Sequence, residues 1–355
     1  MIREIVKNNI GIIYLDRADK INALNLDMIY EIYDILEKWK DDSGIRAVLF
    51  DSLADKGFCA GGDLKEVYED YLTNDDEEDK DNFFRTEFEL DKYIERYEKP
   101  IISHWFGITM GGGIGLTINS DIIITDETTN WAMPETRLGF VPDVGVGKEI
   151  SKLPQALGQY LALTGSSLGA SDLIKYDLAD FYIKSSKYED IINKLFTLSD
   201  EYEGDKLLDE FRKVLREYGN KENTSKIEDD LGKIEEYFSL DSYRAIYEKL
   251  KANTSDDFAR KTLANQNERF PFMLSLQFEK YFLCKDLTYA ETIDLDYEIL
   301  EYSVELGSME EGIRVTMIDK EDSAKWPIQS IDEVDMARVK DLLGIDKTYE
   351  ERLSN

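Results

Sequence analysis

Apolar and polar positions keep two different rhythms along this chain, and the change between them organises it. "NIGIIYLDR" (9–17) is a short apolar run between polar turns, a strand pattern. In "NLDMIYEIYDILEKWKDD" the residues Met28, Ile32, Ile35, Leu36 and Trp39 return at helical spacing. Asn25 stands where an N-cap belongs, with Met28 three residues on. "IRAVLFDS" is continuously apolar, as a parallel strand buried on both faces must be. A glycine turn, "GFCAGGDL", then leads into a helix from about Leu64.

The acidic run "NDDEEDKD" (74–81) reads as a solvated loop, and "NFFRTEFELDKYIERYEK" as a helix stopped at Lys99-Pro100. "IISHWFG" and "DIIITDE" are further buried strands, separated by three glycines and an expected helix, "GIGLTINS". "TTNWAMPETRLGFVPDVGVG" reads as a long loop with a helix beginning near Gly147. "LGQYLALTGSSLGASDLIKY" reads as two short helices, and "LADFYI" as a last strand. From about Ser186 strand patterns give way to charged, helix-forming sequence, where proline is scarce. The chain is therefore read as a β/α core over 1–190 and a mainly helical region over 191–355.

Composition narrows the chemistry. The chain has 355 residues, 42% of them apolar, enough for a substantial core, and no run approaches a transmembrane helix. The first twenty residues lack the basic-then-apolar order of a signal peptide, which makes the cytoplasm the expected compartment. Two cysteines, Cys59 and Cys284, fit a reducing compartment and are too few for a thiolate metal site. A formal charge of −32 argues against nucleic acid as a partner. With His104 the single histidine, and that one in the apolar run "PIISHWFG", histidine metal centres are excluded and acid–base chemistry falls to carboxylates.

Two glycine turns follow strands, "CAGGDL" and "MGGGIG". Neither fits a phosphate loop or a dinucleotide fingerprint: Gly147-Lys148 is followed by Glu149, and "GITMGGGIG" lacks the G-x-G-x-x-G spacing. A glycine turn at a helix start leaves backbone N–H groups pointing outward, and two such turns aimed at one point make an oxyanion hole. The same glycines also permit close helix–strand packing. Glu135 and Asp143, each beside a proline in "MPETRLGFVPDVG", are carboxylates in an apolar loop, suited to proton transfer or nucleophilic attack; capping and turn roles fit them too.

Taken in order, "GFCAGGDL", "GITMGGGIGL" and "AMPETRLGFVPDVG" resemble the crotonase (enoyl-CoA hydratase/isomerase) superfamily and, within it, the 3-hydroxyisobutyryl-CoA hydrolases. "LGQYLALTGSSL" and "MEEGIRVTMIDKEDSAKW" extend the resemblance toward the C-terminus. It implies an α/β fold, a spiral of repeated ββα units with C-terminal helices covering the site. It also implies an acyl-CoA thioester as partner and no separate cofactor, and it admits a homo-oligomer. By motif, the N–H groups of Gly62 and Gly112 would hold the thioester oxygen. Ala60, Lys56 and Glu87 (of "FFRTE") would line the substrate, and Glu135 and Asp143 would be catalytic. Lys56, Lys320 and Lys325 are the cations offered to the CoA phosphates, and Cys59 is read as a packing residue.

Hydratases of the superfamily carry a second glutamate two residues past the triple glycine, where this chain has Gly115, so the pattern favours hydrolysis. An enoyl-CoA hydratase or isomerase, or a silent acyl-CoA-binding protein on the same fold, are the rival readings. The sequence departs from the superfamily at Phe106, at Asp177 and through 186–265.

Overall fold

The computed structural model describes residues 1–73, 82–219, 224–320 and 323–345; the acidic run at 74–81 lies outside them. Two compact units interleave along the chain. The first takes residues 1–63, 86–132 and 167–227; the second takes 64–85, 133–166 and 228 onward. The break expected at about 190 is therefore one of composition: no strand follows residue 182 among the described residues, but both compact units draw on sequence from either side of it.

A six-stranded sheet forms the centre of the first unit. Its strands are β1 (Ile2–Lys7), β2 (Ile10–Leu15), β3 (Ala47–Ser52), β4 (Ile101–Trp105), β6 (Ile122–Thr125) and β8 (Phe181–Tyr182), in the order β1-β2-β3-β4-β6-β8. All neighbours from β2 onward pair in parallel, for example Leu49 with Ile102 and Ile102 with Ile122. Burial on both faces explains why these strands read as unbroken apolar runs. The edge strand β1, antiparallel to β2, is exposed and carries Arg3, Glu4 and Lys7, which blunt the edge and weaken its strand signal.

Between the long strands the chain repeatedly enters a second layer. β5 (Ile108–Met110) follows β4 and pairs in parallel with β7 (Asn130–Ala132), which follows β6. The segment after β3 does the same in miniature, with single bridges from Gly57 to Gly107 and from Cys59 to Thr109. This strand, short strand, helix succession is the ββα repeat. β5 and β7 differ from expectation, which has β4 run straight into the glycines and β7 lie within a loop; three residues are too few for a periodicity to register. Helices α8 (Ser185–Leu198) and α9 (Gly204–Tyr218) lay Ile191, Leu195, Leu207, Phe211 and Leu215 on Ile12, Leu49, Ile102 and Ile124 of the sheet.

Helix α1 (Leu26–Lys40) starts at its expected cap, the Asn25 side chain accepting a 3.2 Å bond from the Met28 N–H. Helix α2 (Leu64–Thr73) begins as expected, and α3 spans Asn82–Glu95. The expected helix "GIGLTINS" is shorter: α4 covers only Gly112–Gly115, and turns follow. Four residues of poor helix propensity, three of them glycine, do not carry a longer one.

The second unit is helical: α5 (Val146–Lys152), α6 (Gln155–Thr164), α10 (Leu231–Phe238), α11 (Tyr243–Ala252), α12 (Asp257–Asn267), α13 (Pro271–Leu283), α14 (Tyr289–Glu305), α15 (Ser308–Ile313) and α16 (Met336–Leu342). The remaining helix, α7 (Ala170–Lys175), belongs to the first unit. Helix α13 is apolar nearly all round and buries residues 272–278, so it is the core of its unit.

Candidate active site

In the first unit the two glycine turns meet backbone to backbone. The Cys59 N–H donates to the Ile108 carbonyl at 3.1 Å, and the Met110 N–H to the Cys59 carbonyl at 3.0 Å. A Cβ on Gly61, whose φ is +96°, would lie 3.6 Å from the Gly111 Cα and 3.7 Å from the Gly112 nitrogen. A Cβ on Gly113 would strike the Cys59 Cβ at 2.4 Å. Glycine is thus required where one backbone crosses another.

Residues 17–24 support the first turn from outside. The Leu24 N–H donates to the Gly61 carbonyl (2.8 Å), the Asp63 N–H to the Leu24 carbonyl (2.7 Å) and Asn22 Nδ2 to the Phe58 carbonyl (2.8 Å). Arg17 pairs with the buried Asp63 at 2.8 Å. Ile21 and Asn22 carry φ near +50° (51° and 55°), a costly conformation for a β-branched residue, held by these bonds. While their neighbours are committed in this way, the N–H groups of Gly62 and Gly112 have no acceptor among the described residues. Glu87, buried, brings its carboxylate against Gly112: a Cβ there would lie 1.9 Å from Oε1.

The other expected members of this half divide. Ala60 is half-buried in the same turn, its N–H bonded to the Ile21 carbonyl at 3.0 Å. Lys56 is exposed beside a shallow depression that also takes in Asp55, Phe106 and Asp126. Cys59 is fully buried and donates to the Asn22 carbonyl; burial pushes its thiol up to about 12, so it packs and stays protonated. His104 lies buried between Asp51 (3.3 Å) and Asp126 (3.7 Å) and stacks on Tyr188 at 3.6 Å. Burial alone would lower its pKa, but the carboxylates of Asp126 and Asp51 on either side outweigh burial and raise it.

The second unit carries both expected catalytic carboxylates. Glu135 opens a 3-10 turn, Glu135–Leu138, closed by Gly139 at φ +70°. The C-terminal signature explains this turn: the Ser308 hydroxyl donates to the Gly139 carbonyl at 2.9 Å, and Gly312 sits where a Cβ would meet the Leu138 backbone at 2.2 Å. Buried Arg269 binds Thr136 Oγ1 at 3.1 Å and the Thr164 carbonyl at 2.6 Å, fixing the residue after Glu135. Exposed Arg137 shares a cavity of about 260 Å³ with Thr316, Lys320 and Trp326. Lys325 is exposed, with its N–H on Glu311.

Asp143 is buried, and burial with the nearby Asp296 charge pushes it up to about 7 against the pull of Lys280. Its loop is unusual. Val144 and Gly145 hold successive φ values of +51° and +72°, and three groups secure them. Lys280 Nζ reaches the Pro142 carbonyl at 2.5 Å, Tyr289 Oη the Val144 carbonyl at 3.0 Å, and the Gly145 N–H donates to Asp296 at 2.9 Å. Sequence reasoning missed Lys280, Tyr289, Asp296, Arg269 and Arg17. Two of them leave a trace: Lys280 and Asp296 fall on the apolar stripes of their helices, where a charge is unexpected.

The enoyl-CoA hydratase/isomerase family model matches residues 10–343. The chain belongs to this family. That assigns the fold as crotonase-like, and two solved family structures agree: a carnitinyl-CoA dehydratase from Mycobacterium thermoresistibile (TM-score 0.84, 27% identity, 96% of this chain and 95% of that one) and an enoyl-CoA hydratase from Rhodobacter sphaeroides 2.4.1 (TM-score 0.84, 27% identity, 96% of each). Among curated family members, the mitochondrial 3-hydroxyisobutyryl-CoA hydrolase of Xenopus tropicalis is 34% identical over 91% of this chain and 83% of its own length. The names attached to this fold therefore span dehydration, hydration and hydrolysis, and the side chains must decide between them. Among the described residues no group of acidic, histidine and cysteine side chains could hold a metal, and no helix is long and apolar enough to cross a membrane.

Proposed function

We propose that this protein hydrolyses an acyl-CoA thioester, of the short hydroxyacyl kind that 3-hydroxyisobutyryl-CoA represents. The observation that carries the reading is the pair of N–H groups, on Gly62 and Gly112 at the crossing of two glycine turns, that have no acceptor among the described residues. They are donors suited to a carbonyl oxygen that becomes an oxyanion, and removing one such donor typically costs about 2.7–4 kcal/mol of transition-state stabilisation. In this reading Glu87, which packs against Gly112, and half-buried Ala60 in the adjoining turn contact the acyl side, and the exposed Lys56 is offered to the CoA phosphates.

In this reading Glu135 attacks the thioester carbon, forming an anhydride that water then opens, or takes a proton from the water that attacks. Gly62 and Gly112 hold the charge that develops on oxygen. Asp143, whose carboxyl burial pushes up to about 7, gives its proton to the departing CoA sulfur. Thioester and water yield carboxylic acid and free thiol, so the balance calls for no cofactor. Label recovered in Glu135 after a single turnover in ¹⁸O-water marks the anhydride route, with water opening it at the Glu135 carbonyl, because direct water attack leaves none there.

Hydration is the second reading, favoured by the hydratase and dehydratase names of the solved neighbours. Against it, Gly115 puts no carboxylate where hydratases have one. Thiol release from 3-hydroxyisobutyryl-CoA, followed with a disulfide dye, tests the proposal, with crotonyl-CoA watched in parallel by its enoyl absorbance. Thiol release that drops at least about 10²-fold in Glu135→Gln supports hydrolysis. Loss of enoyl absorbance without thiol release means a hydratase, and CoA binding without either means a silent binder. Two buried free thiols support a reducing compartment for the reaction, and we take the cytoplasm as that compartment. Size-exclusion chromatography reads out whether copies of the chain associate.

A further inference from the structure

Beneath the Asp143 loop lies a buried charge cluster that takes no part in the proposed reaction. Lys280 on α13 and Asp296 on α14 are both fully buried and form an ion pair. An apolar pair of similar volume would serve stability at least as well, because the desolvation of two buried charges offsets most of their attraction. The pair's other bonds indicate what it does instead. Lys280 also grips the Pro142 carbonyl, and Asp296 the Gly145 N–H, one residue before Asp143 and two after it. Between them Val144 sits in a backbone conformation that β-branched residues avoid, with Tyr289 on its carbonyl.

The remaining neighbours add no competing charge. Cys284, which Gly147 approaches, stays a neutral thiol, pushed up to about 11 by burial. Lys148 spends its ammonium on the carbonyls of Cys284 and Lys285. One buried ammonium thus faces two buried carboxylates, Asp143 and Asp296, and burial raises both; Asp296 is the one that holds the ammonium and the Gly145 N–H, and these pull its carboxyl back toward the charged form. A cluster with one charge too many is relieved by a proton.

Resting on the proposed hydrolysis, we infer that Lys280 and Asp296 are positioning residues for Asp143: they fix the backbone on both sides of it and, by pairing with each other, leave Asp143 as the carboxyl that carries a proton into the reaction. Asp143 is the group that meets substrate; the pair acts only through it.

Asp296→Asn is the informative variant. Its amide oxygen still accepts from Gly145, but Lys280 is released to pair with Asp143. The limb of the kcat–pH profile belonging to Asp143 should then move down by about one pH unit or more, and kcat at neutral pH should fall while KM stays within about threefold. Lys280→Met should move the same limb up. Asp143→Asn identifies the limb by removing it. If the unsubstituted protein releases thiol and Asp296→Asn folds with an unchanged profile and kcat, the inference is overturned and the hydrolase reading stands. If the unsubstituted protein releases no thiol, that reading fails and takes the inference with it. Should Asp296→Asn not fold, the double variant Lys280→Met, Asp296→Leu removes both charges together; an unaltered rate and profile there likewise overturn the inference, and a displaced limb upholds it.

Discussion

Replacing Gly112 by alanine adds one carbon at the crossing of the two turns, and its consequences can be worked out atom by atom. The new Cβ falls 1.9 Å from Glu87 Oε1, 3.0 Å from Glu87 Cδ and 3.4 Å from Leu24 Cδ1. Contacts under 3.0 Å are not tolerated, so the carboxylate must retreat by at least 1.1 Å (3.0 − 1.9). It is the end of a flexible side chain, and Gly112 opens a helix in a conformation that alanine accepts, with about 1 kcal/mol of helix propensity in alanine's favour. Stability should therefore change by no more than about 1 kcal/mol, whereas a displacement of this size within a reacting site costs roughly 10²-fold in rate. Initial rates of thiol release give kcat/KM, and urea unfolding of the same preparation gives stability.

Gly113→Ala is the control. Its Cβ meets the Cys59 Cβ at 2.4 Å and the Cys59 carbonyl at 3.2 Å, in a core that cannot yield, so it should lose about 1–3 kcal/mol of stability. If Gly112→Ala keeps kcat/KM within about threefold at unchanged stability, neither Gly112 nor Glu87 belongs to the site.

Three further outcomes follow from buried titrating groups. An unfolded aspartate titrates near about 3.9, while Asp143 in the fold is pushed up to about 7. Across that window the native state keeps a proton that the unfolded state has lost, so stability falls as pH rises through it and levels off above. Asp143→Asn should remove this fall and be more stable than the unsubstituted protein above pH 7 than below pH 4, which urea midpoints across pH will show; parallel curves would count against it. His104, the single histidine, gives one imidazole signal in proton NMR and should titrate above the ordinary value of about 6.5. The stability it contributes is complete below that value and is lost as pH rises through the shifted one; a signal already neutral at pH 6.5 contradicts the Asp51–His104–Asp126 arrangement. Both cysteines are buried, with Cys59 held to about 12, so neither should react with a disulfide dye until the protein unfolds. Labelling in the native state would show that the turn opens.

Much of the strand core was legible because parallel strands buried on both faces admit only apolar residues, and "IRAVLFDS" could be little else. The Asn25 cap was legible because capping is local chemistry. What escaped was long-range. Asp296 stands in "DLDYEILEY" beside Asp294, and nothing local says that Asp294 is exposed while Asp296 is buried against Lys280. The phase of α14 does say it: Thr292, Ile293, Asp296, Ile299 and Leu300 share one buried stripe, so the aspartate sits where the helix should be apolar. β1 escaped for the opposite reason, since an exposed edge strand carries no burial pattern to read. For the site, the glycines and carboxylates were visible as motifs, while the residues that hold them, Arg17, Arg269, Lys280 and Tyr289, were not.

The interleaving of the two units also sets an order of events during synthesis. The loop bearing Asp143 leaves the ribosome long before the helices that secure it: Gly145 and Asp296 are 151 residues apart. At about 5–20 residues per second that is a wait of roughly 8–30 s. The Glu135 turn waits longer still for Ser308. The segment with the chemistry is therefore made early and shaped last, and a nascent chain arrested before α14 would carry both carboxylates without the lattice of bonds that gives them their geometry.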